Sequence, residues 1–361
     1  MYYSLHSKYR AIRVTSPDEQ DLLEQFAAAL RALPGVHART DSSPSVGLDA
    51  RLALEVAGKV VDAHIELRRA VYPRDVPQFA WRVRDIGSGD AVAVLVADAI
   101  SPGAKDLLRS ERLGYYDRGG SLYLPAPGAY LYIDRPPPKP MARNLRTLYT
   151  GRRAQVLHAL LQAPGEWLQV KDLAAQTGAA AATVSQLLAE LERLDWMDSQ
   201  GQGPAKRRRL RDPTGLLDAW AKHVASLPRP TPRRYFVPAT DGAEMLLRRL
   251  DAECEAQRVD YAVTAEAAAQ RYAPYLTTVS QIHCCIPEGS GPVLAALGAR
   301  AVDEGANLLL IDGAPSADLR LRQRIDGVWL ASPVQVYLDL QQRGGRAKEL
   351  ADHLRRQTIG F

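Results

Sequence analysis

The chain is poor in cysteine, with three in 361 residues: Cys254, Cys284 and Cys285. The number is odd and two of them are adjacent, a pair that rarely bridges. A disulfide framework is therefore excluded and a reducing cytosol is expected. Long apolar runs are missing too. The longest, residues 91–97 and 308–311, fall far short of the ~20 residues that cross a bilayer, and residues 1–10 lack the apolar stretch of a secretory signal. No internal repeat and no low-complexity tract is visible. These absences predict a soluble, cytoplasmic protein with no membrane partner. A large excess of one charge is also lacking: 46 lysines and arginines face 41 acidic residues, a net charge of +5. Spread evenly, that excess is too small to mark a nucleic-acid binder.

What is present divides the chain. Residues 136–140 hold four prolines in five positions, and residues 227–234 repeat the pattern with Pro228, Pro230 and Pro232. Both stretches forbid helix and favour stiff, extended connectors. They cut the chain into 1–134, 141–226 and 235–361, which suits a length expected to make two to three domains. The charge then concentrates. Residues 139–235 carry 16 basic and 8 acidic side chains, net +8, whereas the remainder carries 30 basic and 33 acidic, net −3.

Within the middle segment, Val156, Leu157, Leu160 and Leu161 predict a helix over 152–162. Residues 166–168 read as a short extended piece, and a second helix over 170–177 stops at Gly178, a residue suited to a helix end. A third helix is expected from about 180 to 194. Its Val184, Leu187, Leu188, Leu191 and Leu194 form one apolar stripe, with Ala182, Ser185, Gln186, Ala189 and Arg193 on the far side. Residues 196–198, a turn at 201–204 and residues 206–211 complete a basic hairpin, or wing, with five cations in six positions. This is the winged helix-turn-helix pattern, whose third helix enters the major groove of duplex DNA.

The candidate DNA-binding residues follow from that pattern. Thr183, Ser185 and Gln186 lie on the third helix, with Gln186 placed to read adenine edges; Arg152, Arg153, Lys206, Arg207, Arg208, Arg209 and Arg211 would meet phosphates. The rival reading is a non-DNA adaptor, in which the same helices dimerise or bind protein. The run from Lys171 to Met197, KDLAAQTGAAAATVSQLLAELERLDWM, resembles winged-helix bacterial transcriptional regulators.

The C-terminal segment alternates predicted helices (242–257, 265–273, 332–343, 346–357) with short apolar strands (261–263, 282–286, 307–311, 327–330). Residues 263–268, 332–340 and 345–351 resemble the C-terminal domain of AbiEi-type antitoxins of type IV toxin–antitoxin systems. The resemblance implies a nucleotidyltransferase-like α/β fold. Such enzymes need a glycine–serine turn and a pair of carboxylates at i and i+2 to hold metal ions. This chain offers Thr264-Ala265 and then His283-Cys284-Cys285, with no carboxylate pair, so the domain is expected to be catalytically silent. Adjacent cysteines on a strand point to opposite faces, and no further ligand motif accompanies His283, so zinc is not expected. Asp339 and Arg346 suggest an ion pair or a partner-binding patch.

The N-terminal segment reads as a helix over 17–33, strands at 52–56, 60–67 and 91–97, a helix over 103–112, and a hairpin through 115–117 and 121–124. That order is that of a restriction-endonuclease-like α/β core, and residues 99–108 with 113–124 resemble nuclease-like domains fused to winged helices in bacterial proteins. The superfamily cuts DNA with an acidic residue followed by (Asp/Glu)-x-Lys, which holds Mg²⁺ and polarises water. Here Asp49 precedes Glu66-Leu67-Arg68, and an arginine stands where the lysine belongs. A guanidinium stays protonated and cannot act as a tunable base. An inactive scaffold is expected, with a Mg²⁺-dependent nuclease using Asp49 and Glu66 as the alternative.

The sequence thus predicts an α/β multidomain chain: restriction-endonuclease-like domain, central winged helix-turn-helix, and nucleotidyltransferase-like C-terminal domain. By resemblance the expected function is an antitoxin-like autorepressor that binds double-stranded DNA. No metal and no cofactor are expected, and a homodimer is left open. The genetic partner would be a nucleotidyltransferase toxin that forms no stable complex with it.

Overall fold

The computed structural model describes residues 16–41, 48–86, 91–126, 129–139, 141, 147–238, 242–275, 278–286, 290–312 and 319–361. The opening residues 1–10 and Pro140 of the first proline stretch lie outside the described residues. The chain is mixed α/β and folds as two compact units: residues 1–146 with 190–195, and residues 147–189 with 196–361.

The first unit opens with α1 (Pro17–Arg31), where the Ser16 hydroxyl accepts the Glu19 amide and the Glu19 carboxylate accepts the Ser16 amide. This reciprocal cap satisfies two otherwise orphaned donors. A seven-stranded sheet follows in sequential order, β1 (Val36–Asp41), β2 (Ala50–Val56), β3 (Lys59–Val71), β4 (Val92–Ile100), β5 (Gly114–Asp117), β6 (Leu122–Ala126) and β7 (Ala129–Ile133). Strands β3, β4 and β5 run parallel through crossovers carrying α2 (Val76–Ile86) and α3 (Pro102–Ser110), and the other pairs are antiparallel. Strand β4 is apolar on both faces, as a strand covered on both sides must be. Val94 and Val96 join Phe26 and Leu30 of α1 in one core, while Ala93, Leu95 and Ala97 join Phe79, Ala104 and Leu108 in the other. A buried ion pair, Lys105 to Asp117 at 2.7 Å, ties α3 to the end of β5.

Three elements here were not expected from sequence. Strand β1 carries few buried side chains and β7 exposes Tyr130 and Tyr132 along the sheet edge, so neither shows a strong apolar period; helix α2 does carry one, through Val76, Phe79, Ala80 and Val83, and the sequence reading missed it.

The second unit begins with the helices α4 (Gly151–Gln162), α5 (Val170–Thr177) and α6 (Ala181–Arg193), of which residues 190–193 cluster with the first unit. The hairpin β8 (Met197–Gln200) and β9 (Arg207–Leu210) follows, then α7 (Pro213–Ala225). Helix α7 was not expected; Asp212 caps it, its carboxylate accepting the Gly215 amide at 2.8 Å. Beyond it lie β10 (Arg233–Phe236), α8 (Gly242–Ala256), β11 (Ala262–Thr264), α9 (Ala265–Tyr272), β12 (Ile282–Ile286), α10 (Gly291–Ala296), β13 (Arg300–Ala301), β14 (Leu308–Asp312), β15 (Gln323–Ile325), β16 (Val328–Leu330), α11 (Pro333–Gln341) and α12 (Arg346–Leu354). The sheet order is β13-β10-β14-β12-β11-β16-β15.

The second proline stretch ends earlier than expected. Arg233 and Arg234 already sit in β10, paired with Leu310 and Leu309, because non-proline residues past Pro232 regain the amide that a ladder needs. Helix α7 joins winged helix to sheet: Arg355 binds Asp218 at 2.5 Å, and the Gln342 side chain donates to the Val224 carbonyl at 2.9 Å.

Candidate nucleic-acid interface

The turn between α5 and α6 is built by Thr177 and Gly178. Gly178 adopts the left-handed conformation at φ +67°, and its amide reaches the Ala174 carbonyl. The buried Thr177 hydroxyl donates to the Leu173 carbonyl at 2.6 Å and accepts the Ala179 amide at 3.4 Å. This joint fixes where α6 begins. On α6, Val184, Leu187, Leu188 and Leu191 are buried, as is Leu194 just past its end, while Ala182, Ser185, Gln186 and Arg193 are exposed and Thr183 and Ala189 are half-buried. Toward the start of α6 the face offered to solvent therefore consists of small residues around one amide side chain, with Arg193 at the far end.

The wing is a two-stranded ladder joined by one isolated bridge. Besides the β8–β9 ladder, Leu168 and Arg208 exchange both backbone hydrogen bonds, at 2.8 and 2.9 Å. Strand alternation then sorts the basic residues. Arg207 and Arg211 are exposed and Lys206 is half-buried, whereas Arg208 is 8% exposed and turns inward beside Leu210. Arg209 is engaged within the wing: its guanidinium binds Asp198 at 2.9 Å and lies 4.8 Å from the Trp167 ring centroid. On α4, Arg152 is exposed and donates to Gln155 at 3.1 Å, and Arg153 is half-buried. The ten residues singled out in the sequence thus fall on α4, α6 and β9 or the residues flanking it.

Two features escaped the sequence reading. Trp167 supports Arg209, and Arg320 reaches the helix-turn-helix joint from far along the chain: a methyl placed on Gly178 would stand 3.3 Å from its guanidinium carbon. No local pattern marks Arg320, because its neighbour in space is 142 positions away in sequence.

In the first unit, Asp49 accepts the Leu67 amide at 2.8 Å. Glu66, on the opposite face of β3 from Leu67, is buried and clasped by Arg82 of α2 and by Arg68 at 2.5 Å. Among the described residues no group of three histidine, cysteine or acidic side chains stands ready to hold a metal ion.

In the second unit, Asp339 does not pair with Arg346. Its carboxylate is buried, accepting the Thr264 hydroxyl and the Gln335 amide at 2.7 Å, while Arg346 is exposed at the start of α12. The α11 helix points Asp339 at the sheet, and desolvation there raises its pKa. His283 accepts from Arg343 at 2.8 Å; burial and that guanidinium hold its pKa down to about 4. Cys254 and Cys284 are buried thiols and Cys285 is half-buried.

Among known proteins, the MarR family model matches residues 149–208, spanning α4, α5, α6 and the wing through Arg208. No curated protein and no solved structure matches the chain. Among the described residues no helix is long and apolar enough to cross a membrane. Residues 149–208 are thus similar to the MarR family, which supports a winged-helix, DNA-binding transcriptional regulator.

Proposed function

We propose that the chain represses transcription by laying α6 in the major groove of duplex DNA with the wing along the flanking backbone. The observation that carries this reading is the surface of α6, where Ala182, Ser185 and Gln186 are exposed opposite a fully buried leucine stripe. Small side chains let the helix sink into the ~12 Å groove, and Gln186 can make two hydrogen bonds to an adenine edge. Thr183 and Ser185 serve nearby bases or phosphates. Arg152, Arg153, Lys206, Arg207 and Arg211 supply phosphate contacts. Arg208 and Arg209 act one step back, holding the wing in shape.

The antitoxin resemblance makes the target its own promoter: an autorepressor of a bacterial type IV toxin–antitoxin operon, acting in the cytoplasm. A nucleotidyltransferase toxin is then the genetic partner, with no stable complex between them. A homodimer would present two α6 helices to half-sites about one helical turn apart. Both α/β domains enter as non-catalytic. This is supported by the arginines on Glu66 and by the engagement of Asp339 with Thr264 and Gln335.

Gel-shift titration on DNA upstream of the gene, against a scrambled duplex, tests the reading. Tight, salt-dependent binding to the upstream DNA is expected. Absence of salt-dependent binding to any duplex would favour the adaptor instead. A nucleotidyltransferase reading frame next to the gene is the expected genomic sign of the antitoxin role.

A further inference from the structure

Arg320, Arg322 and Arg324 alternate along the chain just before β16, and two of them are engaged. Arg322 binds Asp260 at 2.6 Å, donates to the Tyr261 carbonyl at 3.1 Å and lies 4.4 Å from the Trp329 ring centroid. Arg324 binds Asp251 at 3.1 Å and flanks the same ring. Arg320 is exposed, and no hydrogen bond or ion pair joins it to another described residue. Its backbone is nevertheless held in place. The Arg322 amide reaches the Leu319 carbonyl at 3.2 Å in a turn, Leu319 is buried, and Leu321 shares the wall of a small cavity with Gly151 and Ala154 of α4.

That turn sets Arg320 against the joint before α6. Its guanidinium carbon stands 3.3 Å from where a Cβ on Gly178 would be, and its two terminal nitrogens stand at 3.4 and 3.5 Å. Because the carbon is nearest, the guanidinium presents its flat face to Gly178. Its N–H donors lie in the plane and point past the glycine. Gly178 is itself exposed, as are Ala180, Ala181 and Ala182 at the start of α6. A permanently charged fork without a counter-ion thus stands beside the end of the helix that would enter the groove. The groove walls there are sugar and phosphate, and the planar donors of arginine match a phosphate through two parallel bonds.

We propose that Arg320 contacts a backbone phosphate of the bound duplex beside the start of α6, so that the chain beyond the winged helix supplies part of the DNA-binding surface. The proposal rests on the DNA-binding reading above. It gives the C-terminal sheet a direct part in binding that needs no catalytic residue. A cation 142 positions from Gly178 in sequence joins Arg152, Arg153 and the outward cations of the wing in one electrostatic footprint.

Salt titrations of DNA binding by the full-length chain test this, with Arg320→Met removing the charge but keeping a long side chain over Gly178, and Arg320→Lys keeping the charge. Arg320→Met should flatten the log–log slope by about 0.9, so the parent's advantage in affinity should shrink about 3.5-fold between ~50 and ~200 mM salt. The loss should be the same on upstream and scrambled duplexes, because a phosphate carries no sequence. Arg320→Lys should keep the parent's slope. Urea midpoints and circular dichroism spectra of both variants should match the parent's. An unchanged slope in Arg320→Met, while Arg207→Ala flattens it, overturns the proposal and leaves the DNA-binding reading standing. A loss confined to upstream DNA with the slope intact also overturns it, and makes Arg320 a support for the Gly178 joint alone. Absence of salt-dependent binding in the parent overturns both.

Discussion

Arg209 lies over the indole of Trp167, 4.8 Å from the ring centroid, and its guanidinium is held there by Asp198. One strand residue away, Arg208 points inward. Four consecutive cations from Lys206 to Arg209 therefore have different jobs, set by the alternation of β9. Replacing Arg208 with alanine should destabilise the fold by about 1–3 kcal/mol through lost packing and hydrogen bonding, read as a lower urea midpoint. Arg207→Ala should leave that midpoint within ~0.5 kcal/mol of the parent, because exposed side chains contribute little to folding.

His158 and His283 should make stability fall in mild acid. Each accepts a proton near pH 6.5 in the unfolded chain but only near pH 4 in the folded one, because burial disfavours the imidazolium. Between those values the unfolded state binds more protons, so stability is full above pH 6.5 and is lost as pH falls toward 4. The loss is on the order of 3 kcal/mol for His158 at most. Urea midpoints at pH 7 and pH 5 should differ less in His158→Gln than in the parent; equal differences would contradict this account.

Gly178→Ala should cost about 1 kcal/mol or more from backbone strain alone, since a left-handed φ of +67° disfavours any side chain. The added methyl also crowds Arg320. A loss of DNA affinity beyond the loss of thermal stability, measured on the folded variant, would mark displacement of α6.

Glu66 should behave as a structural anion. Glu66→Ala leaves Arg68 and Arg82 facing each other without a counter-charge. We expect a cost of roughly 2 kcal/mol, less than for a fully buried pair because both arginines reach solvent. Supercoiled DNA incubated with the parent protein and Mg²⁺ or Mn²⁺ should remain uncut. Cleavage abolished by Glu66→Ala would restore the nuclease alternative.

How much of this was legible in sequence depended on whether a residue's partner was near it along the chain. Helices α4, α5 and α6 announce themselves through leucine spacing and Gly178, and the structure places them within a residue or two of expectation. The wing was legible as a basic hairpin, but its composition concealed that Arg208 is buried and Arg209 is stacked. Helix α7 hides because its burial rests on Leu216, Leu217 and Trp220 alone, between two stretches of breakers. For Asp339 the sequence left open an ion pair with Arg346, seven positions away, or a partner-binding patch; its partner Thr264 is 75 positions distant and meets it only after α11 docks on the sheet. The His158, Ser332 and Gln335 cluster is of the same kind, assembled across more than 170 residues.

The central claim is that α6 and the outward cations of the wing dock on duplex DNA, and the salt dependence of binding tests it most directly. Plotting log affinity against log salt for the parent and for Arg207→Ala should give a shallower line for the variant, by about 0.9 for the one phosphate contact removed. Gln186→Ala should leave the slope unchanged and reduce the preference for upstream over scrambled DNA, by ~1–3 kcal/mol. Identical slopes for parent and Arg207→Ala, with no change of preference in Gln186→Ala, would contradict the account.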